Sequence, residues 1–356
     1  MKATIFENAK AKMLRSEGYN FDFNKQTGFF ARWGATEDED PPYSPYGPEI
    51  MDIEISEGEG CSWSCPFCYK GNKKGDKATN MSLDTFKQIF ATFPKTVTQI
   101  AFGITSVGSH PQLFDIFDYC RVNGVIPNVT INGSDPVTDE QVARLVKTCG
   151  AMAVSVVWPN QENGFNLIRR LLDAGATQIN IHFMLSTQTV EKAYEVCKAM
   201  KTDSRLKGMN AIVFLGLKPK NRGQSFDVLP VADFIKLTNF CLENGVRFGF
   251  DSCSAPRFDK SVRESTTLSP EMKQSLNQCS ERCESGLFSA YVDCAGVYWH
   301  CSFGEGRDDA AGIDVKAVKN FTQEVWLSQP MVDWRKKLLG MDRECPLYPE
   351  IHSTKE

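Results

Sequence analysis

The stretch Met51-Asp-Ile-Glu-Ile-Ser56 runs into Glu57-Gly-Glu-Gly60 and then Cys61-Ser-Trp-Ser-Cys65-Pro-Phe-Cys68-Tyr69. The first six residues read as a strand and the glycine-containing segment as the turn that ends it. Three thiols follow within eight residues, close enough in sequence to converge on one soft metal centre. A structural zinc site takes four protein ligands, often as paired C-x-x-C units. The next cysteine is Cys120, inside a helical pattern. Three ligands therefore leave one coordination position open, which is what chemistry at a metal requires.

Outward from this stretch, strand and helix patterns alternate. Apolar strand candidates are Met51–Ser56, Thr98–Gly103, Pro127–Asn132, Ala151–Trp158, Gln178–Leu185 and Asn210–Leu217. Between them lie helical periodicities such as Leu83, Phe86, Ile89, Phe90 and Phe93 behind Ser82, a suitable N-cap. Several helices stop at a glycine that opens the next strand: Asn123-Gly124, Cys149-Gly150, Ala174-Gly175 and Asn244-Gly245. Six such units predict an α/β fold, a partial parallel (βα)6 TIM-like barrel over 50–250, with its active site at the C-terminal ends of the strands. Residues 1–49 read as a hairpin (Tyr19–Asn24 and Phe29–Trp33 around Lys25-Gln-Thr-Gly28) and a proline-rich connector with the acidic run Glu37-Asp-Glu-Asp40. Residues 251–356 lose the alternation and gain cysteines. They read as a small Cys-rich extension, too irregular to build a core of its own.

Composition narrows the classes. The chain has 356 residues, 42% hydrophobic and 24% charged, with a net charge of −4. No overall basic field favours nucleic acid. No apolar run of about 18 residues spans a membrane, and the first residues lack a secretory signal, so the expected compartment is the cytoplasm. Thirteen cysteines in a reducing compartment point to metal ligation and packing rather than disulfides. Cys120, Cys149, Cys197 and Cys241, near the ends of amphipathic helices, read as packing residues. His182, in Asn180-Ile-His-Phe-Met, reads either as an inward-facing contact or as a hydrogen-bonded core histidine. His110, His300 and His352 show no ligand spacing with one another.

C-x-x-x-C-x-x-C after the first strand of a βα domain, with an aromatic before the third Cys, resembles the signature of radical S-adenosylmethionine (SAM) enzymes. The resemblance implies a 4Fe-4S cluster on Cys61, Cys65 and Cys68 whose fourth iron is chelated by S-adenosyl-L-methionine. One electron then cleaves SAM to a 5′-deoxyadenosyl radical. It also implies SAM contacts from Phe67 (adenine), Asn132-Gly133 after strand three, Ser155 on strand four and Leu215 on strand six. Strand two of the family ends in Gly-Gly-Glu, which binds the SAM amino group. Here the segment is Phe102-Gly103-Ile104-Thr105, so Gly103, Thr105 or Ser106 takes that place.

Six cysteines occupy the last 104 residues: Cys253, Cys279, Cys283, Cys294, Cys301 and Cys345. With Gly296, Gly312-Ile-Asp, Trp334-Arg and Cys345-Pro, their order resembles the SPASM/twitch extension of the same superfamily, which carries auxiliary Fe–S clusters. It implies one auxiliary cluster on Cys283, Cys301, Cys345 and either Cys253 or Cys279, the former favoured because it ends a strand. Cys294 reads as a bystander or a thiol facing substrate, and four thiolates also suit zinc. The implied activity is radical modification of a peptide or protein side chain. The enzymatic alternative is a nucleoside, sugar or other small-molecule substrate. The implied electron donor is a flavodoxin- or ferredoxin-type protein. A non-catalytic Fe–S or zinc module is the remaining alternative.

Overall fold

The computed structural model describes residues 3–307 and 312–351. His352 lies outside them. Four antiparallel strands come first: β1 (Thr4–Glu7), β2 (Ala11–Arg15), β3 (Asn20–Asn24) and β4 (Phe30–Trp33), in the order β1-β2-β3-β4. The predicted hairpin is thus β3–β4, one half of a larger sheet. The strands before it are short. β1 is largely exposed and β2 buries Lys12 on the same face as Leu14, so no apolar alternation announces them.

The central sheet begins with β5 (Ile50–Glu54). A two-stranded ribbon, β6 (Ser56–Glu59) and β7 (Lys77–Asn80), then flanks the cysteine loop. Helices and strands alternate from there: α1 (Leu83–Phe90), β8 (Gln99–Gly103), α2 (Leu113–Val122), β9 (Ile126–Asn132), α3 (Asp139–Thr148), β10 (Met152–Ser155), α4 (Gln161–Asp173), β11 (Ile179–Leu185), α5 (Val190–Thr202), β12 (Ala211–Gly216), α6 (Val231–Glu243) and β13 (Phe248–Phe250). After β13 come α7 (Ala255–Glu264), α8 (Pro270–Gln278), β14 (Ser289–Val292), β15 (Val297–Trp299), β16 (Ile313–Asp314) and α9 (Gln329–Gly340).

Local chemistry explains many of these boundaries. Ser82 accepts the Thr85 N–H at the start of α1, and Thr138 with Gln141 forms a capping box on α3. Gly124, Gly175 and Gly245 take positive φ after α2, α4 and α6, as a left-handed C′ residue does. Gly150 differs. A Cβ there would lie 2.4 Å from the Ile126 side chain, so close packing, not handedness, selects glycine after α3.

The sheet order is β13-β12-β11-β10-β9-β8-β5-β14-β15-β16. From β13 to β14 the pairings are parallel, with Glu54 opposite Gly103 and Ser155 opposite both Asn132 and His182. Strands lie about 4.8 Å apart, so a flat sheet would hold β5 about 29 Å from β13. Yet Asp52 on β5 and Cys253, just past β13, line one cavity. The sheet is therefore strongly curled. Its two ends face each other, and among the described residues no ladder joins β13 to the β14–β16 edge.

Alternation along the strands separates two faces. Ile100 and Phe102, Val129 and Ile131, Ile179, Ile181 and Phe183, and Ile212 and Phe214 are buried on the convex side, where α2, α4 and α5 pack. The concave face carries the intervening residues, many of them polar.

The C-terminal region shares the main core of the molecule. Tyr298, Phe321, Val325, Trp326, Met331 and Leu338 are fully buried and join the main apolar cluster. Arg335 donates to the Gly286 and Trp326 carbonyls beneath them. Met331, Trp334 and Leu338 form the buried face of α9 at helical spacing, and they pack on partners distant in sequence. Arg32 ties the N-terminal sheet to this region, reaching Glu49 at 3.1 Å and Glu284 at 2.8 Å over the Phe288 ring.

Candidate metal centres

Cys61, Cys65 and Cys68 sit in the loop that leaves the C-terminal end of β5 through β6. Backbone bonds knit the loop: Cys61 N–H to the Lys73 carbonyl at 3.0 Å, Cys68 N–H to the Cys65 carbonyl at 3.2 Å. Asn132 Nδ2 lies 3.6 Å from Cys61 Sγ. Burial raises the Cys61 thiol, opposed by hydrogen bonds from Trp63 and Asn132. Burial pushes Cys65 up to about 12, and the neighbouring Cys61 and Cys68 sulfurs push the same way. Thiols that raise one another in this manner need a cation before they ionise together.

A single segment after β12, Lys218-Pro-Lys-Asn-Arg222, braces this loop. Arg222 donates to three of its carbonyls: Cys65 at 2.9 Å, Gly71 at 3.1 Å and Asn72 at 2.5 Å. Asn221, held at a φ of 49°, donates Nδ2 to the Tyr69 carbonyl at 2.5 Å. Lys220 reaches the other way, to the Ser302 and Glu305 carbonyls at 3.3 and 2.9 Å. Lys70, next to the cysteine loop, pairs with Glu305 and with Tyr291 Oη.

Cys253, Cys283, Cys301 and Cys345 all line a second site, a cavity of about 270 Å³ between the facing ends of the sheet. They arrive from past β13, before β14, after β15 and beyond α9. Burial pushes Cys283 to about 12 and Cys301 to about 11, with neighbouring thiols adding to both. Cys253 and Cys345 are raised by burial too. Lys218, paired with Asp251, also lines the cavity. Cys279 caps the C-terminus of α8 and is exposed, away from the cavity lining. Cys294 is buried and donates to the Thr79 carbonyl at 3.4 Å. Among the described residues no three His, Cys, Asp or Glu side chains could hold a single metal ion. The thiolate-only donor sets suit soft centres, Fe–S clusters among them.

The other predicted contacts fall as follows. Gly103, Asn132, Ser155 and Leu215 lie at the C-terminal ends of β8, β9, β10 and β12, on the concave face. Thr105 is buried in a hydroxyl chain, 2.6 Å from Ser56 Oγ and 2.7 Å from Ser109 Oγ. Phe67 meets Phe226 edge-on, with ring centroids 5.8 Å apart. His182 contacts Thr130 Oγ1 at 3.3 Å, and burial lowers its pKa to about 4, so it is neutral. Cys120, Cys149, Cys197 and Cys241 are buried among apolar side chains.

Sequence reasoning missed Lys218–Arg222 as a brace. The available signal was three basic residues in a loop directly after a strand's C-terminal end, where functional loops gather. It also passed over Asp52 and Glu54, two carboxylates on the concave side of β5.

No family model matches the sequence, and no curated protein matches it. Among solved structures, the chain is similar to Streptococcus suis SuiB bound to the precursor peptide SuiA. The match has a TM-score of 0.63 at 11% identity and covers 99% of this chain and 91% of that one. SuiB alone gives 0.60 at 12% identity over the same shares. The sheet order, the helices on its convex side and the strands that follow β13 thus belong to one shared architecture: this chain has the fold of SuiB.

Proposed function

We propose that this protein is a radical SAM enzyme that modifies a side chain of a peptide or protein. The observation that carries the reading is a loop with three thiols and no fourth, at the C-terminal end of a strand, above a polar concave face. The curled sheet is read as a partial (βα)6 barrel with that face as its interior. The fold shared with SuiB, a protein crystallised with a precursor peptide, supports a peptide as substrate.

Cys61, Cys65 and Cys68 would hold a 4Fe-4S cluster with SAM beside it, and Cys253, Cys283, Cys301 and Cys345 an auxiliary cluster. Bound and reduced by a flavodoxin- or ferredoxin-type donor, the first supplies the electron that splits SAM into methionine and a hydrogen-abstracting 5′-deoxyadenosyl radical. The chain's own part is positional. Arg222 and Asn221 fix the loop through its carbonyls, leaving the thiols free to turn inward. The Asn132 amide faces Cys61 Sγ and stabilises a thiolate there. Gly103, Ser155 and Leu215 form a wall of strand ends for SAM, with Phe67 and Thr105 bordering it. Neutral His182, in register with Ser155, offers a hydrogen bond without adding charge.

The test is anaerobic reconstitution, dithionite reduction and addition of SAM. Formation of 5′-deoxyadenosine supports the reading. Its absence from a preparation with a full complement of iron sinks it and leaves a non-catalytic module.

A further inference from the structure

Arg32, Arg257 and Arg335 all carry their guanidinium groups inside the protein, and two of the three are answered. Arg32 meets Glu49 and Glu284 over the Phe288 ring. Arg335 has no carboxylate, but its guanidinium lies against the Tyr43 and Trp326 rings. Arg257, near the start of α7, is 6% exposed, and among the described residues neither a carboxylate nor a ring meets it. Its Nη1 donates to the Leu229 carbonyl at 2.5 Å and its Nη2 to the Glu350 carbonyl at 3.2 Å. Nε has no partner among the described residues. Two of five N–H donors are thus engaged, both on neutral carbonyls.

The carboxylates on neighbouring segments are taken. Asp259 pairs with Arg282, Glu264 with Lys260 and Asp233 with Lys236, and Asp227 accepts from Gln188. Glu350 turns its carbonyl to the guanidinium, while its side chain is exposed. A buried charge without a counter-charge costs several kcal/mol, which an arriving anion offsets.

Arg257 also lines a cavity of about 460 Å³, whose other walls are Val228, Leu229, Pro230, Val231, Ala232 and Glu350. The 228–232 run makes one side apolar, and it contains the start of α6. Pro230 supplies no capping side chain there, and the backbone bonds of the first turn begin at the Asp233 N–H. The N–H groups of Val231 and Ala232 are therefore free beside the cavity, and free N–H groups at a helix start favour negative charge. Ile351, which follows Glu350, lines the second cysteine cavity, so the two cavities are neighbours.

We infer that this cavity binds a carboxylate carried on a short apolar chain. Arg257 and the first turn of α6 take the charge, and the 228–232 run takes the chain. The site uses none of the cysteines, so it stands or falls apart from the enzyme reading. Two sources share this chemistry: the C-terminus of a peptide ending in an apolar residue, and a free short-chain acid.

Isothermal titration of the reconstituted protein would compare hexanoate with hexanamide, and Nα-acetyl-leucine with its amide. In at least one pair the acid should bind about tenfold or more tightly than the amide, as a hydrogen bond to a charged group implies. Arg257→Gln should remove that preference. Ala232→Asp places a fixed carboxylate on the exposed first turn of α6 and should remove it too, without lowering the melting temperature. Should Arg257→Gln fail to fold, Ala232→Asp carries the test. A larger preference in the acetyl-leucine pair upholds the site as one for a peptide C-terminus, and a larger one in the hexanoate pair upholds it as one for a free acid. No binding, equal binding of acid and amide in both pairs, or a preference that survives either substitution overturns the inference.

Discussion

The two cysteine sites are built on opposite plans. Cys61, Cys65 and Cys68 belong to one short loop, so chain connectivity already keeps them near one another. Cys253, Cys283, Cys301 and Cys345 come from four separated segments and meet only when the sheet has curled. The first site is held from outside, by Arg222 and Asn221 on its carbonyls. The second lies between β13 and the β14–β16 edge, which no ladder joins among the described residues. Substitution at the first should therefore stop chemistry and spare the fold, whereas substitution at the second should loosen the fold.

The largest effect tests the first half of that contrast. Ala in place of any one of Cys61, Cys65 or Cys68 should bring 5′-deoxyadenosine below detection in an anaerobic assay, while thermal unfolding shifts only slightly. A variant that still cleaves SAM removes that residue from the ligand set.

Next comes the second site. In the Cys61/Cys65/Cys68→Ala triple variant, reconstitution should leave about four iron and four sulfide per chain, as one fully thiolate-ligated cluster does. Adding Cys253→Ala, Cys283→Ala, Cys301→Ala or Cys345→Ala should remove that iron and lower the melting temperature by several degrees. Cys279→Ala, on the exposed end of α8, should do neither. Zinc in place of iron would refute the redox role. An unchanged melting temperature after iron loss would erase the contrast drawn above.

A smaller effect belongs to the brace. Arg222→Ala removes three hydrogen bonds to the cysteine loop, each from a charged donor, and should cut SAM cleavage about tenfold to a hundredfold. Arg222→Lys should restore part of it, since an ammonium reaches fewer carbonyls than a planar guanidinium fork. EPR of the reduced protein provides the control. A broadened signal in Arg222→Ala marks a misplaced loop, and an unchanged one assigns the brace to stability alone.

The smallest effect lies between the two sites. Burial holds the Glu54 carboxyl at about 7, against 4.5 when free. Between those values the folded chain keeps a proton that the unfolded chain has released. Stability from this group is therefore fully present below the free value and is lost as pH rises through about 7. Melting temperatures between pH 5.5 and 8 should fall for the wild type and stay flatter for Glu54→Gln, a difference of about 2 kcal/mol at the alkaline end. Parallel curves would mean that Glu54 is already paired in solution.

What the sequence discloses follows the same division. The three-cysteine loop, the strand candidates and the helix-ending glycines after α2, α4 and α6 are local patterns, and residues a few positions apart suffice to read them. The SAM contacts proposed on Gly103, Asn132, Ser155 and Leu215 could be placed on strand ends because period-2 alternation is equally local. The brace could not, since Arg222 acts on carbonyls about 150 residues away in sequence. The buried packing of Tyr298, Phe321 and Trp326 was hidden for the same reason. The sequence favoured Cys253 over Cys279 only as the end of a strand; the fold adds that one lines the cavity and the other caps an exposed helix.

The pairing of β5 with β14 also has a consequence for how the chain is made. Ile50 must wait for Ser289, about 240 residues later, before that edge of the sheet is covered. At a synthesis rate of about 5–20 residues per second, β5 keeps one bare edge for some tens of seconds, and such distant pairings are slow to form afterwards. The cysteine loop, by contrast, has all its thiols in hand as soon as Cys68 leaves the ribosome. It can be filled before the second cavity exists, so the order of cluster insertion can follow the order of translation.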